Sequence, residues 1–73
     1  MKLARTIRTS GGTWWMIPKS AVAINTPPIG TIVQYERDVN DRYYVYFPGI
    51  LGYAPMSGWV FNRYFEDLDD ETS

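Results

Sequence analysis

The chain has 73 residues, a net charge of −1, three tryptophans, six tyrosines and three phenylalanines, and it lacks cysteine and histidine. A chain this short forms one domain and must build its core from large side chains, because it buries a small share of its surface. The missing cysteines exclude disulfides and thiolate metal sites, and the missing histidines remove the commonest general base. The composition predicts a domain held by aromatic packing, and it leaves self-association open.

The acidic residues are concentrated at the C-terminus, where five of the eight occupy the last eight positions. Residues 1–65 carry seven basic and three acidic groups, a net charge of +4. We predict a single domain over residues 1–68 and an acidic, disordered tail over residues 69–73. No apolar run is long enough to span a membrane and no signal-peptide pattern follows the basic start, which predicts a cytoplasmic protein.

The first part of the chain is predicted to be a strand followed by a long irregular excursion. β-Branched residues and a Ser-Gly-Gly breaker favour a strand over residues 2–9; the alternative is a short basic helix. Residues 10–30 form the excursion, and the spacing of Pro28 and Gly30 predicts a type I turn at its end.

The middle of the chain alternates β-forming runs with turn residues. The four residues Asp38-Val39-Asn40-Asp41 form a turn between the first two runs, and among them Asn40 is expected to adopt a positive φ. Pro48 and Gly49 form the next turn. The pattern predicts antiparallel strands at residues 31–37, 42–47 and 50–54.

The second of these strands alternates between two faces. We expect Val45, flanked by Tyr43 and Phe47, to point into the core, because valine and phenylalanine have no polar group to satisfy. The opposite face then presents a recognition surface of rigid aromatic rings beside an arginine. The alternative, that its two tyrosines pack under the 10–30 excursion as a second core layer, stays open. The outward residues are Arg42, Tyr44 and Tyr46.

The aromatic stretch after Ser57 predicts the closing element of the fold. Gly58 allows a close approach of two backbones. Residues 59–61 are expected to form a short strand, and residues 62–64 a tight 3₁₀ turn that returns Tyr64 and Phe65 to the core. The prediction therefore has Tyr64 and Phe65 closing the core.

Two motifs resemble a known family. Gly30-Thr31-Ile32-Val33 is a "G-T-x-V" strand, and Gly58-Trp59-Val60 precedes a closing Tyr64; in this order they are similar to bacterial SH3 domains over about residues 30–65. The strand spacing predicts an all-β fold, a small barrel or a curled antiparallel sheet. The resemblance implies a small SH3-like barrel of about five antiparallel strands with one short 3₁₀ turn near residues 62–64.

The tryptophans offer a second candidate surface. In an extended run Trp14 and Trp15 point to opposite sides, so one of them could lie exposed near Trp59 and Tyr64. Such a cluster would form an aromatic groove for extended, proline-containing peptides. The alternative is that both indoles fill the core, and Trp59 taken alone is interpreted as structural. The candidate partner-binding residues are Trp14, Trp15, Arg42, Tyr44, Tyr46, Trp59 and Tyr64.

Catalysis has little support in this sequence. No nucleophile has a base beside it and no Gly-rich phosphate loop precedes a helix, so we predict a non-enzyme without cofactor or metal. Asp38 and Asp41 flank a turn, where carboxylates commonly accept backbone hydrogen bonds. The preferred interpretation is a small bacterial or phage protein-binding module, an adaptor or inhibitor that acts through an aromatic surface. The alternative is a nucleic-acid-binding SH3-like barrel, which the modest positive charge makes the weaker hypothesis.

Overall fold

The structure is a computed structural model that describes residues 1–9, 14–19 and 22–68, without the side chains of residues 14 and 22. The predicted tail, residues 69–73, lies outside the described residues. The described residues form seven strands and one helix: β1 (Lys2–Thr6), β2 (Trp14–Ile17), β3 (Val22–Asn25), β4 (Ile32–Arg37), β5 (Arg42–Tyr46), β6 (Ala54–Ser57), α1 (Gly58–Tyr64) and β7 (Phe65–Asp67).

Five strands form one antiparallel sheet in the order β6-β5-β4-β1-β7, and this sheet curls into a half-barrel. Strands β2 and β3 form a separate antiparallel hairpin, in which Trp15 is paired with Ile24. The predicted all-β, antiparallel architecture is confirmed. The excursion over residues 10–30 is more regular than predicted, because it contains this hairpin.

Strand β1 ends at Thr6, earlier than the predicted residue 9. Its backbone then bonds to the segment that leads into β4: the Thr6 N–H donates to Thr31 O at 2.9 Å, and Gly30 N–H donates to Thr6 O at 2.8 Å. The predicted type I turn is wrong. Thr31 N–H donates to Pro28 O, and Gly30 at the third position has a φ of 96°, which is the geometry of a type II turn.

In the turn between β4 and β5, the residue with a positive φ lies one position later than predicted. Asp41 has a φ of 61°, whereas Asn40 is not among the positive-φ residues. The Asp38 N–H donates to Arg42 O, and the Asp41 N–H donates to Asp38 O. This is a type I turn followed by a left-handed residue, so the positive φ falls after the turn rather than within it.

The turn at Pro48 and Gly49 is confirmed, since Ile50 N–H donates to Phe47 O and Gly49 has a φ of 77°. The strand predicted at residues 50–54 is wrong in position: β6 begins at Ala54 and contains Pro55. Pro55 is tolerated there because β6 lies at the edge of the five-stranded sheet, where a missing N–H breaks no ladder bond.

The strand predicted at residues 59–61 and the 3₁₀ turn predicted at residues 62–64 are both wrong, because helix α1 spans Gly58–Tyr64. Trp59, Val60 and Phe61 are poor helix formers, and seven residues are too few for a helix to be stable alone. Tertiary packing decides the conformation: the Phe61 ring is buried and stacks on Tyr43 with centroids 4.2 Å apart.

The core lies on the concave side of the sheet and is closed by α1 and the β2–β3 hairpin. Tyr35, Tyr43, Phe61 and Phe65 form a continuous series of ring contacts in its centre. The predicted inward residues Tyr43, Val45 and Phe47 are all buried, which confirms the predicted inward face. The buried apolar residues are Ala4, Trp15, Ile17, Val33, Tyr35, Tyr43, Val45, Phe47, Ala54, Met56, Phe61 and Phe65.

Candidate functional site

The convex side of the sheet carries the tyrosines that alternation predicted to point outward. Tyr44 and Tyr46 are half-buried, and they lie opposite Glu36 and Gln34 of β4 in the antiparallel register. Directly opposed residues in an antiparallel pair share one face. The tyrosines and these two polar residues therefore form one surface.

Tyr53, from the loop that precedes β6, packs onto this surface. Its ring contacts Tyr44 edge-on, with centroids 5.2 Å apart, and contacts Tyr46 at 5.9 Å. Such edge-to-face pairs contribute roughly 0.5–1.5 kcal/mol beyond their buried area. The three rings, together with Glu36 and Asp38, are called the outer tyrosine face below.

Asp38 fixes one end of this face. Its Oδ1 accepts hydrogen bonds from the backbone N–H groups of Asn40 (2.8 Å) and Arg42 (3.1 Å), and its Oδ2 accepts one from the Tyr44 hydroxyl (3.0 Å). These bonds, led by the one from the Arg42 N–H, lower the pKa of Asp38 below its usual value. The carboxylate is therefore ionised and oriented at neutral pH.

The tyrosine hydroxyls are shifted in the opposite direction. The hydrogen bond to Asp38 raises the pKa of Tyr44, with partial burial adding to the effect. Burial is the main cause that raises the pKa of Tyr46, and the neighbouring Glu36 carboxylate contributes both by its charge and by a hydrogen bond. The Tyr44 hydroxyl therefore donates to a carboxylate, which helps to orient that ring, and the Tyr46 hydroxyl lies close to the Glu36 carboxylate.

The alternative in which Tyr44 and Tyr46 lie under the excursion does not hold for its described residues. Trp15 and Ile17 of the hairpin belong to the same buried cluster as Val45, on the opposite side of β5. The tyrosines pack against Tyr53 instead.

The tryptophan groove is not formed by the described residues. Trp15 is 7% exposed, donates its indole N–H to Thr26 Oγ1 at 2.9 Å, and meets the Tyr64 ring edge-on at 5.5 Å. Trp15 is therefore a core residue and Tyr64 packs partly buried against the core. The Trp14 side chain lies outside the described residues, so its predicted role is not tested.

Trp59 is not a core residue, contrary to its interpretation as structural. It lies on α1 with 71% of its surface exposed, and the neighbouring positions 62 and 63 are exposed as well. A helix with Phe61 inward turns Trp59 outward, whereas an alternating strand would have put both on one face. The candidate residues therefore divide into three groups: Arg42, Tyr44 and Tyr46 on the convex face, Trp15 and Tyr64 at the core, and Trp59 on the helix.

Sequence reasoning missed two members of the outer tyrosine face. Tyr53 falls within the strand predicted at residues 50–54, and nothing in its local pattern indicates that it contacts β5. Glu36 could have been found, because the alternation of β4 puts it on the same face as Gln34. Asp38 was predicted to accept backbone hydrogen bonds in the turn, and this is confirmed.

Two depressions adjoin the sheet. An open one of about 890 Å³ is bordered by the N-terminal residues and by part of the outer tyrosine face: Met1, Lys2, Tyr35, Glu36, Arg37, Asp38, Val39 and Tyr44. A smaller apolar one of about 310 Å³ lies between the end of β3 and the Pro48 turn, lined by Ile24, Asn25, Pro27, Pro28, Thr31, Phe47, Pro48 and Ile50.

In the part of the chain that the structure describes, no three acidic side chains converge as metal ligands, and the single helix is too short to cross a membrane. The chain has no match among family models, curated proteins or solved structures.

Proposed function

We propose that this chain is a non-enzymatic protein-binding module, an adaptor or inhibitor of bacterial or phage origin that acts in the cytoplasm through the outer tyrosine face. The observation that carries the proposal is the arrangement of three partly exposed tyrosine rings, held by edge-to-face contacts and by the hydrogen bond from the Tyr44 hydroxyl to Asp38. Rigid aromatic side chains provide large contact areas at a small cost in entropy, and they are frequent binding hot spots.

An SH3-like barrel is part of the proposal. It is supported by the order of elements from Gly30 onward, in which strand, polar turn, aromatic strand and glycine turn follow one another, and by the pairing of β1 with both β4 and β7. The helix that contains Gly58-Trp59-Val60 departs from the strand that the family resemblance implied.

Nucleic-acid binding is the weaker alternative for this face. Tyrosines that stack on bases need basic neighbours to hold the phosphates. Here Tyr44 and Tyr46 have Glu36 and Asp38 as hydrogen-bonding neighbours. Those carboxylates repel a phosphate backbone, so we expect no measurable DNA or RNA binding at physiological ionic strength.

The test is affinity capture from a bacterial lysate with matched variants of the full chain. Tyr53→Ser removes the ring that joins the other two, and Leu51→Ser is the control, since Leu51 lies in the same loop with 89% of its surface exposed. We expect a specific partner to be retained by the wild type and by Leu51→Ser. Its affinity for Tyr53→Ser should fall about 30-fold, as for a lost hot spot of about 2 kcal/mol.

Tyr53→Ser loses two ring contacts and is expected to lower the urea midpoint, so affinities are compared under conditions in which circular dichroism shows both variants fully folded. A partner that binds Tyr53→Ser as tightly as the wild type would contradict the proposal. So would a micromolar, steeply salt-dependent complex with DNA or RNA, which would favour the nucleic-acid alternative.

A further inference from the structure

The outer tyrosine face carries two carboxylates on a body whose net charge is positive, and the exposed Arg42 lies at the end of the same face. Residues 1–65 contain three carboxylates, and two of them, Glu36 and Asp38, border the tyrosine hydroxyls. The third, Asp41, pairs with Arg37 at 3.1 Å. Two of the three acidic groups of residues 1–65 therefore lie on this face, while Asp41 lies beside Gly58 at the start of α1.

Glu36 has an unused capacity to bind a cation. Arg5 pairs with Glu66 and Arg37 pairs with Asp41, and neither of these ion pairs includes Glu36. Glu36 is exposed, and it lies close enough to Tyr46 to raise the pKa of that tyrosine. A carboxylate has four lone-pair positions, so most of its acceptor capacity remains open.

The basic groups nearest to this face leave room for a further cation. Arg37 lies over the Tyr43 ring and is neutralised by Asp41. Lys2 lines the open depression beside Glu36, and Arg42 is exposed at the end of the β5 row. Neither Lys2 nor Arg42 forms one of the ion pairs given above. Arg42 does lie near enough to Asp38 to lower the pKa of that carboxylate.

We propose that the outer tyrosine face binds an arginine side chain of a partner protein, with Glu36 pairing with the guanidinium group and the Tyr53 ring packing against its plane. This inference rests on the proposed function and deepens it by naming the chemistry of the partner. A guanidinium group is planar and weakly hydrated, so it stacks on aromatic rings and pairs with a carboxylate at two points. The face offers both contacts side by side.

The experiment uses a minimal probe, N-acetyl-arginine amide, titrated into the isotope-labelled full chain and followed by backbone NMR. The control compound is N-acetyl-citrulline amide, which has the same shape without the charge. We expect saturable shifts at Glu36, Tyr44, Tyr46 and Tyr53, with a dissociation constant on the order of 1 mM. Citrulline should bind about five- to tenfold more weakly.

Two charge-removing variants localise the site. Glu36→Gln should weaken arginine binding about fivefold. Glu66→Gln should leave it unchanged, because Glu66 lies on the sheet but is already paired with Arg5. Equal affinities for arginine and citrulline would overturn the inference, as would equal effects of the two variants, or shifts confined to residues 69–73.

The remaining outcome is that the face is covered by a second copy of this chain. Sedimentation across a concentration series would reveal a dimer, and loss of that dimer in Tyr53→Ser would overturn the arginine proposal. A captured partner that depends on Tyr53 but not on any arginine of its own would overturn this inference and leave the proposed function standing.

Discussion

Tyr43 and Tyr44 are neighbours in strand β5 and lie in opposite environments. Tyr43 is buried, and its ring stacks on Tyr35 and Phe61, with centroid distances of 5.6 and 4.2 Å. Tyr44 is half-buried on the convex face, where it meets Tyr53 edge-on and its hydroxyl donates to Asp38. The concave face is held by stacked rings, and the convex face by ring edges and hydroxyl–carboxylate bonds.

Aromatic content by itself therefore does not separate core from surface in so small a domain. A buried ring stabilises the fold through the apolar area it removes from water. A ring ordered by a surface hydrogen bond contributes less to folding and stays available for binding. Substitutions should therefore have large effects on stability on the concave face and small effects on the convex one.

The largest effect on stability is expected at α1, which carries one buried and one exposed aromatic side chain. Phe61→Ala should lower the free energy of unfolding by about 3–5 kcal/mol, because it removes a buried ring and leaves a cavity. Trp59→Ala should change it by less than about 0.5 kcal/mol, since that indole is exposed. Urea denaturation of both variants measures the difference. Similar losses would mean that both side chains share one face, as in the rejected strand.

The same contrast can be tested within β5. Val45→Ala should cost about 2 kcal/mol of stability through lost burial and a cavity. Tyr46→Ala, on the other face of the strand, should lower the urea midpoint by clearly less. If the two variants unfold at the same denaturant concentration, Tyr46 is a core residue and the outer tyrosine face is not a separate surface.

Thr6 is a buried polar residue on the concave side, and its substitution is expected to increase stability by a smaller amount. Its Oγ1 is fully buried and has no hydrogen-bond partner among the residues that the structure describes. Thr6→Val removes this hydroxyl at nearly constant shape, so we expect the variant to be more stable by about 1 kcal/mol. Thr6→Ser keeps the hydroxyl and loses the methyl group, and it serves as the control. A less stable Thr6→Val would indicate that the hydroxyl has a partner.

The smallest effect is the pH dependence of the Tyr44–Asp38 bond. The pKa of Asp38 is lower in the folded protein than in the unfolded chain, so its ionised carboxylate stabilises the fold above the unfolded pKa of about 4. This stabilisation is lost as the pH falls below about 4. The pKa of Tyr44 is higher in the folded protein than in the unfolded chain, so its neutral hydroxyl stabilises the fold below about pH 10. This stabilisation is lost as the pH rises through the pKa of Tyr44 in the folded protein. Tyr44→Phe should therefore show a smaller drop in urea midpoint than the wild type from about pH 9 to about pH 11. Identical profiles would show that the bond contributes nothing to folding.

Local pattern was enough to predict the faces of β5. The alternation of Val45 between two tyrosines and the lack of polar atoms on Val45 and Phe47 select the inward side. The same holds for the positions of the turns at Pro48 and at Asp38, since proline and aspartate fix the backbone through their own geometry and hydrogen bonds. In the second turn the positive φ nevertheless falls at Asp41 and not at the predicted Asn40. These features involve residues a few positions apart, so the chain specifies them locally.

Helix α1 and the outer tyrosine face could not be predicted in this way. The residues from Gly58 to Tyr64 favour a strand by composition, and they become helical because Phe61 stacks on Tyr43, eighteen positions earlier in the chain. The contact of Tyr53 with Tyr44 and Tyr46 likewise depends on how the loop after Gly49 returns to the sheet. Local sequence patterns were enough to predict an all-β domain with tyrosines on both sides of one strand. They could not show which element closes the core or which rings remain exposed, because both depend on contacts between distant residues that local propensity does not contain.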